Sequence, residues 1–147
     1  MKLEIYKKPN PLKVFDKINK LKKLLKPIKV ENNDEFIQKL LEKPMEINHL
    51  LSEGYSLKDH EYISISCDIK CNIPIEFSAQ VGNGSNCWIT GEKPNGESLY
   101  DTSDKSGLIE ILENLELPNK IIFTEIELSQ KIGNSSSKFK YKLSEQN

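Results

Sequence analysis

The chain contains no arginine: all 21 of its basic residues are lysine. Arginine is the side chain suited to planar, bidentate recognition of phosphate and guanine, so its absence removes the strongest sign of a sequence-reading nucleic-acid protein. Alanine occurs once, as Ala79, beside 17 isoleucines and 13 asparagines. That skew points to AT-rich coding and makes lysine abundance by itself uninformative. Cysteine is scarce: Cys67, Cys71 and Cys87 are an odd number without dense spacing, which excludes a disulfide framework. They suit a reducing compartment in which each thiol acts as a small buried hydrophobe. Only His49 and His60 could serve as histidine bases.

Long apolar runs are missing too. No stretch approaches the ~20 residues of a membrane helix, and the first eight residues carry charge where a signal peptide needs an apolar core. The expectation is a cytoplasmic protein that does not associate with membranes. Against these absences stand a 37% hydrophobic and 29% charged composition over 147 residues, enough for one domain with an ordinary core. Residues 1–147 are read as that single domain, with 144–147 a loose tail.

Charge is unevenly distributed: residues 1–30 carry net +8, 31–66 net −5 and 67–147 net −4. The basic block coincides with a helix expected over 11–26, capped by Asn10, with Pro11 at its first position and Pro27 ending it. Val14, Ile18, Leu21 and Leu25 form its apolar face, and Lys13, Lys17, Lys20, Lys22 and Lys23 occupy the rest of the cylinder. Two short helices are expected next, one from Asp34 to about Lys43 and a second opened by Pro44 and closed by Gly54.

The apolar period then changes to two. From Ile63 to Val81 every odd position is apolar or cysteine, and the even positions are polar apart from Pro74. Fully extended, this run would span roughly 60 Å, so the chain must turn near Asn72. A two-residue hairpin loop would reverse the alternation, so the preserved parity favours a three-residue loop or a bent edge strand around 71–74. Gly82 to Asn86 reads as a turn into a strand through Trp88, and Asn95-Gly96 as a second turn returning through Leu99 and Tyr100. Leu108, Ile111, Leu112 and Leu115 mark an amphipathic helix over about 106–116. A hairpin closes the chain, with strands expected at 121–128 and near 138–143 around a loop at 133–137. The fold class is α+β: N-terminal helices, a mainly antiparallel sheet of about five to six strands, and one helix inserted before the C-terminal hairpin.

No residue set spells out a reaction. His60, Cys67, Cys71 and Cys87 are four soft ligands, but in a strand Cys67 and Cys71 stand ~13 Å apart, too far for one zinc ion. No metal and no cofactor are expected. His49 reads as a helix-surface residue, and His60 between Asp59 and Glu61 as a solvated residue before a strand, the alternative being a proton shuttle. The glycines at 82 and 84 join two strands, whereas a phosphate cradle opens a helix. Asp101-Thr102-Ser103-Asp104 begins like a calcium loop but has Leu112 where the bidentate glutamate belongs.

Two surfaces remain. The lysines at 13, 17, 20, 22 and 23 could attract an anionic polymer. Glu110, Glu113 and Glu116, with Asp101 and Asp104, could meet a basic protein. The leading expectation is a binding protein of the immunity or antitoxin type that uses this acidic set and has no catalytic residues. The alternatives are nucleic-acid or anionic-polymer binding through the lysine helix, and a hydrolase or nuclease using His60 with Asp59 or Glu61 beside Trp88 and Tyr100.

Overall fold

The computed structural model describes residues 11–31, 34–53, 63–82, 85–92, 95–96, 98–99, 105–132 and 134–143. Helix α1 (Pro11–Leu24) leads to a two-residue strand β1 (Ile28–Lys29) and a long helix α2 (Asp34–Ser52). Strands β2 (Ile63–Cys71), β3 (Ile75–Val81), β4 (Ser85–Glu92) and β5 (Ser98–Leu99) follow, then α3 (Lys105–Glu113), β6 (Lys120–Ile121), β7 (Phe123–Ile132) and β8 (Ser135–Lys142). The architecture is the expected α+β class. Six antiparallel strands form the main sheet in the order β5-β4-β3-β2-β7-β8, and β1 pairs with β6 in a separate ribbon.

The alternating run behaves as its parity requires. Lys70 pairs with Glu76, and the strands bounded by Cys71 and Ile75 leave a three-residue loop at 72–74. Because three residues preserve the alternation, Ile65, Cys67 and Ile69 share one face with Val81, Ala79 and Phe77. Ile89 of β4 and Ile126 and Leu128 of β7 continue that face, and all are buried. Phe77 also meets Phe123 edge-on, with ring centroids 5.6 Å apart. Helix α2 packs on β3 and β4, with α1 against α2 and α3 against both α2 and β4. At Gly91 an added Cβ would stand 3.0 Å from Ile111 Cδ1 and 3.1 Å from Ile75 Cγ2, so a side chain here would press on both isoleucines where α3 meets β4.

Helix α1 ends at Leu24 rather than 26, and three larger differences from expectation follow in α2 and the sheet. Residues 34–52 form one helix rather than two, with Pro44 inside it. Proline removes the bond to the Leu40 carbonyl, a cost of ~3 kcal/mol. Fully buried Leu40, Ile47 and Leu51 on both sides of Pro44 offset that cost, at ~1.5–3 kcal/mol per buried side chain. The strand expected at 121–128 is broken at Ile122, whose N–H donates to Asn72 Oδ1 and whose carbonyl accepts from Asn72 N, both at 3.0 Å. Asn72 Nδ2 also donates to the Lys120 carbonyl at 2.9 Å, so the 72–74 loop separates β6 from β7. Finally, β8 begins at Ser135, paired with Ile132. The serines expected in a loop are part of an edge strand, where solvent-facing polar residues cost little.

Helices α1 and α2 run antiparallel and cap each other. Lys17 Nζ donates to the Leu51 and Glu53 carbonyls at the end of α2, at 3.1 and 3.3 Å. Lys43 Nζ, from the middle of α2, donates to the Leu24 carbonyl that ends α1 at 3.2 Å, pairs with Glu46 at 3.2 Å and lies 6.0 Å from the Phe123 ring centroid. Each ammonium satisfies carbonyls that a helix end leaves without partners and sits at the negative end of a dipole. Lys43 is only 8% exposed. Lys43→Ala is therefore expected to lower the free energy of unfolding by about 1–3 kcal/mol in urea titrations, and Lys17→Ala by less.

Candidate functional site

Where α2 begins and α3 ends, the chain leaves a cleft of ≈ 980 Å³. Val30, Phe36 and Ile37 line one wall, Ile109 and Leu112 of α3 the other, and Leu115, Leu117 and Pro118 complete the lining. Phe36 and Leu112 are buried, whereas Val30, Ile37, Ile109, Leu115, Leu117 and Pro118 are each half-buried. The cleft is therefore floored by apolar surface that folding has not sealed. Glu31, Asp34 and Glu113 line it as exposed carboxylates, and exposed Glu116 sits between the lining residues Leu115 and Leu117. Lys105 Nζ reaches Asp34 Oδ1 at 3.1 Å, tying the start of α3 to the start of α2. Both partners are exposed, so this pair contributes little stability.

The end of α3 shapes this opening. The helix stops at Glu113 rather than near 116, with Asn114 N bonded to the Ile111 carbonyl and Leu115 N to that of Leu112, both at 3.2 Å. These tighter bonds turn the chain away from the helix axis. They leave Glu116 outside the helix that carries Glu110 and Glu113. Of the three glutamates the structure places Glu113 in the lining of the opening and leaves Glu110, on α3, and Glu116, after it, exposed outside that lining. Asp101 and Asp104 lie outside the described residues. Sequence reasoning missed Glu31 and Asp34, and with them the unsealed apolar floor. Ile109, off the main stripe of α3, and the Leu115-Glu116-Leu117-Pro118 segment were its available signals.

The lysine set divides. Lys17 is engaged as a helix cap and Lys20 pairs with Glu53 at 3.6 Å. Lys22 and Lys23 are exposed in the last turn of α1, and the Lys13 side chain lies outside the described residues. His60, Asp59, Glu61 and Tyr100 also lie outside them. His49 is exposed on α2, and Trp88 is half-buried on β4 opposite Ser78. Ser78 Oγ donates to Asp68 Oδ1 at 2.7 Å. Among the described residues, no group of three or more His, Cys, Asp or Glu side chains could hold a metal, and no helix is long and apolar enough to cross a membrane. Compared with protein-family models, curated proteins and solved structures, the chain matches none.

All three cysteines are free, Cys67 buried and the other two half-buried. Burial pushes the Cys67 thiol up to about 12, with Asp68 adding to the shift. Burial likewise raises Cys71 to about 11, although its Sγ contacts the Ile73 and Ile75 carbonyls at 3.4 and 3.6 Å. Cys87 is raised by burial as well. Near neutral pH these groups are thiols rather than thiolates, which makes them poor nucleophiles and poor metal ligands. The unfolded chain loses these protons near 9 while the folded chain retains them. Their stabilising contribution is therefore intact below pH 9 and falls as pH rises toward 12. Denaturant titrations between pH 8 and 11 are expected to show this decline, and Cys67→Ala is expected to flatten it.

Proposed function

We propose that this chain is a cytoplasmic protein-binding domain of the immunity or antitoxin type, holding a basic segment of a partner protein in the cleft between α2 and α3. The observation that carries this reading is the joining of half-buried apolar residues with Glu31, Asp34 and Glu113 at one opening, with exposed Glu116 in the chain between its lining residues Leu115 and Leu117. Unsealed apolar surface rimmed by charge is the usual anatomy of a binding patch, with an apolar centre supplying affinity and a charged rim supplying selectivity and association rate. Ile109 and Leu117 would cover apolar side chains of the partner, and the glutamates would face its lysines or arginines. Three free thiols, one fully buried, fit a reducing compartment.

Affinity capture of the tagged chain from native lysate tests the reading, followed by titration of the recovered protein against variants. A basic protein in equimolar amount is expected, with Glu113→Lys/Glu116→Lys weakening the complex about tenfold or more and Lys22→Glu/Lys23→Glu leaving it unchanged. Recovery of nucleic acid, or the reverse pattern between the two double variants, would move the function to α1.

A further inference from the structure

A second open feature, apart from the cleft, is the outer edge of β8. This strand ends the six-stranded sheet and has β7 as its partner on one side and none on the other among the described residues. The ladder shows which groups that edge presents. Leu143 N bonds to the Thr124 carbonyl at 2.9 Å, and Thr124 precedes the Glu125–Lys142 pair in the same register. In an antiparallel ladder, hydrogen-bonded and non-hydrogen-bonded pairs alternate. Leu143, Tyr141 and Phe139 therefore bond inward to β7, and the N–H and C=O groups of Lys142, Lys140 and Lys138 point outward. Ser136 lies in the same outward register, so three of the four β8 residues whose backbone is available to another strand are lysines.

Their side chains are exposed on the polar face of the sheet. Glu127 is within 3.2 Å of Lys138 and 3.8 Å of Lys140, whereas Glu125 pairs with Lys70 rather than with its cross-strand neighbour Lys142. Exposed Lys131 adds to the excess of positive charge. On the other face Phe139, at 37% exposure, and half-buried Tyr141 leave apolar surface at the sheet margin. Lysines on an edge repel unselected strands, and the same charges select one whose alternate residues are acidic.

We propose that the outer edge of β8 accepts an extended acidic strand from a partner protein, through the outward backbone groups of Lys138, Lys140 and Lys142. Carboxylates of the added strand face the lysines, and its alternate apolar side chains cover Phe139 and Tyr141. A second copy of this chain is a poorer occupant: antiparallel pairing of two β8 strands about a two-fold axis sets lysine opposite lysine wherever the lysine segments overlap. This edge is separate from the α2–α3 cleft and does not depend on its assignment.

The test is an amide NMR titration of the full chain with two blocked peptides that alternate isoleucine with glutamate in one and with lysine in the other. The glutamate peptide is expected to shift the β8 amides and to slow exchange at 138, 140 and 142, binding about tenfold or more tighter than the lysine peptide. Lys140→Pro, which removes one outward donor and leaves the β7 ladder intact, is expected to abolish the effect with the rest of the spectrum unchanged. Lys138→Glu/Lys140→Glu/Lys142→Glu is expected to reverse the peptide preference. Equal binding of both peptides by the unmodified chain, no shift in β8 with either, or shifts centred on Lys22 and Lys23 would overturn the proposal, whatever the variants do.

Discussion

Everything in this molecule depends on β2 keeping one side-chain parity with both of its neighbours. It is hydrogen-bonded to β3 on one side and to β7 on the other, and its Ile65, Cys67 and Ile69 all lie on the core face. A one-residue slip in either ladder would turn an entire set of isoleucines, phenylalanine and cysteine to water. The 72–74 loop enforces the parity on the β3 side. Asn72 fastens that loop to Ile122 and Lys120, which starts β7 in its own register. The irregularity at Lys70 and Cys71 is the local adjustment that lets β7 meet this corner. With the face established, α2 and its neighbours seal it, and the surfaces left over are those with functional potential.

The lysines show why position outweighs composition. The chain has 21 of them, and their meanings differ completely. Lys17 and Lys43 are structural, each ending the other's helix. Lys70, Lys138 and Lys140 pair with glutamates across strands of the main sheet. Among the described side chains of what looks in sequence like a continuous positive face, Lys17 is engaged with the end of α2, Lys20 pairs with Glu53, and Lys22 and Lys23 are exposed. The helix pair α1–α2 is thus held partly by its own ammonium groups. Three acidic residues, Glu31, Asp34 and Glu113, line the cleft between α2 and α3.

Most of the fold was legible in the sequence because the apolar periods are clean. The switch from 3.6 to 2 near Ile63, the three-residue loop implied by unbroken parity, and the stripe Leu108, Ile111 and Leu112 all correspond to elements in the structure. Pro44 misled because local propensity opposes a helix there while burial of Ile47 and Leu51 favours one, and tertiary burial outweighed propensity. Serines 135–137 misled because an edge strand needs no apolar signal of its own. Of the acidic residues that line the cleft, Glu113 alone was singled out from the sequence. Glu31, Asp34 and the apolar floor were not, because a cleft between elements distant in sequence exists only once α2, α3 and the β1–β6 ribbon are packed together.

The most direct measurement of this arrangement is residue-resolved amide hydrogen exchange on the free protein. A sheet centred on β2 predicts the slowest exchange at paired amides of β2, β3 and β7, opening only with global unfolding. In β8 it predicts alternation, slow at Phe139 and Tyr141 and fast at Lys138, Lys140 and Lys142. Uniform protection along β8, or exchange in β2 as fast as at the sheet edge, would contradict the register on which both the sealed core and the open surfaces rest.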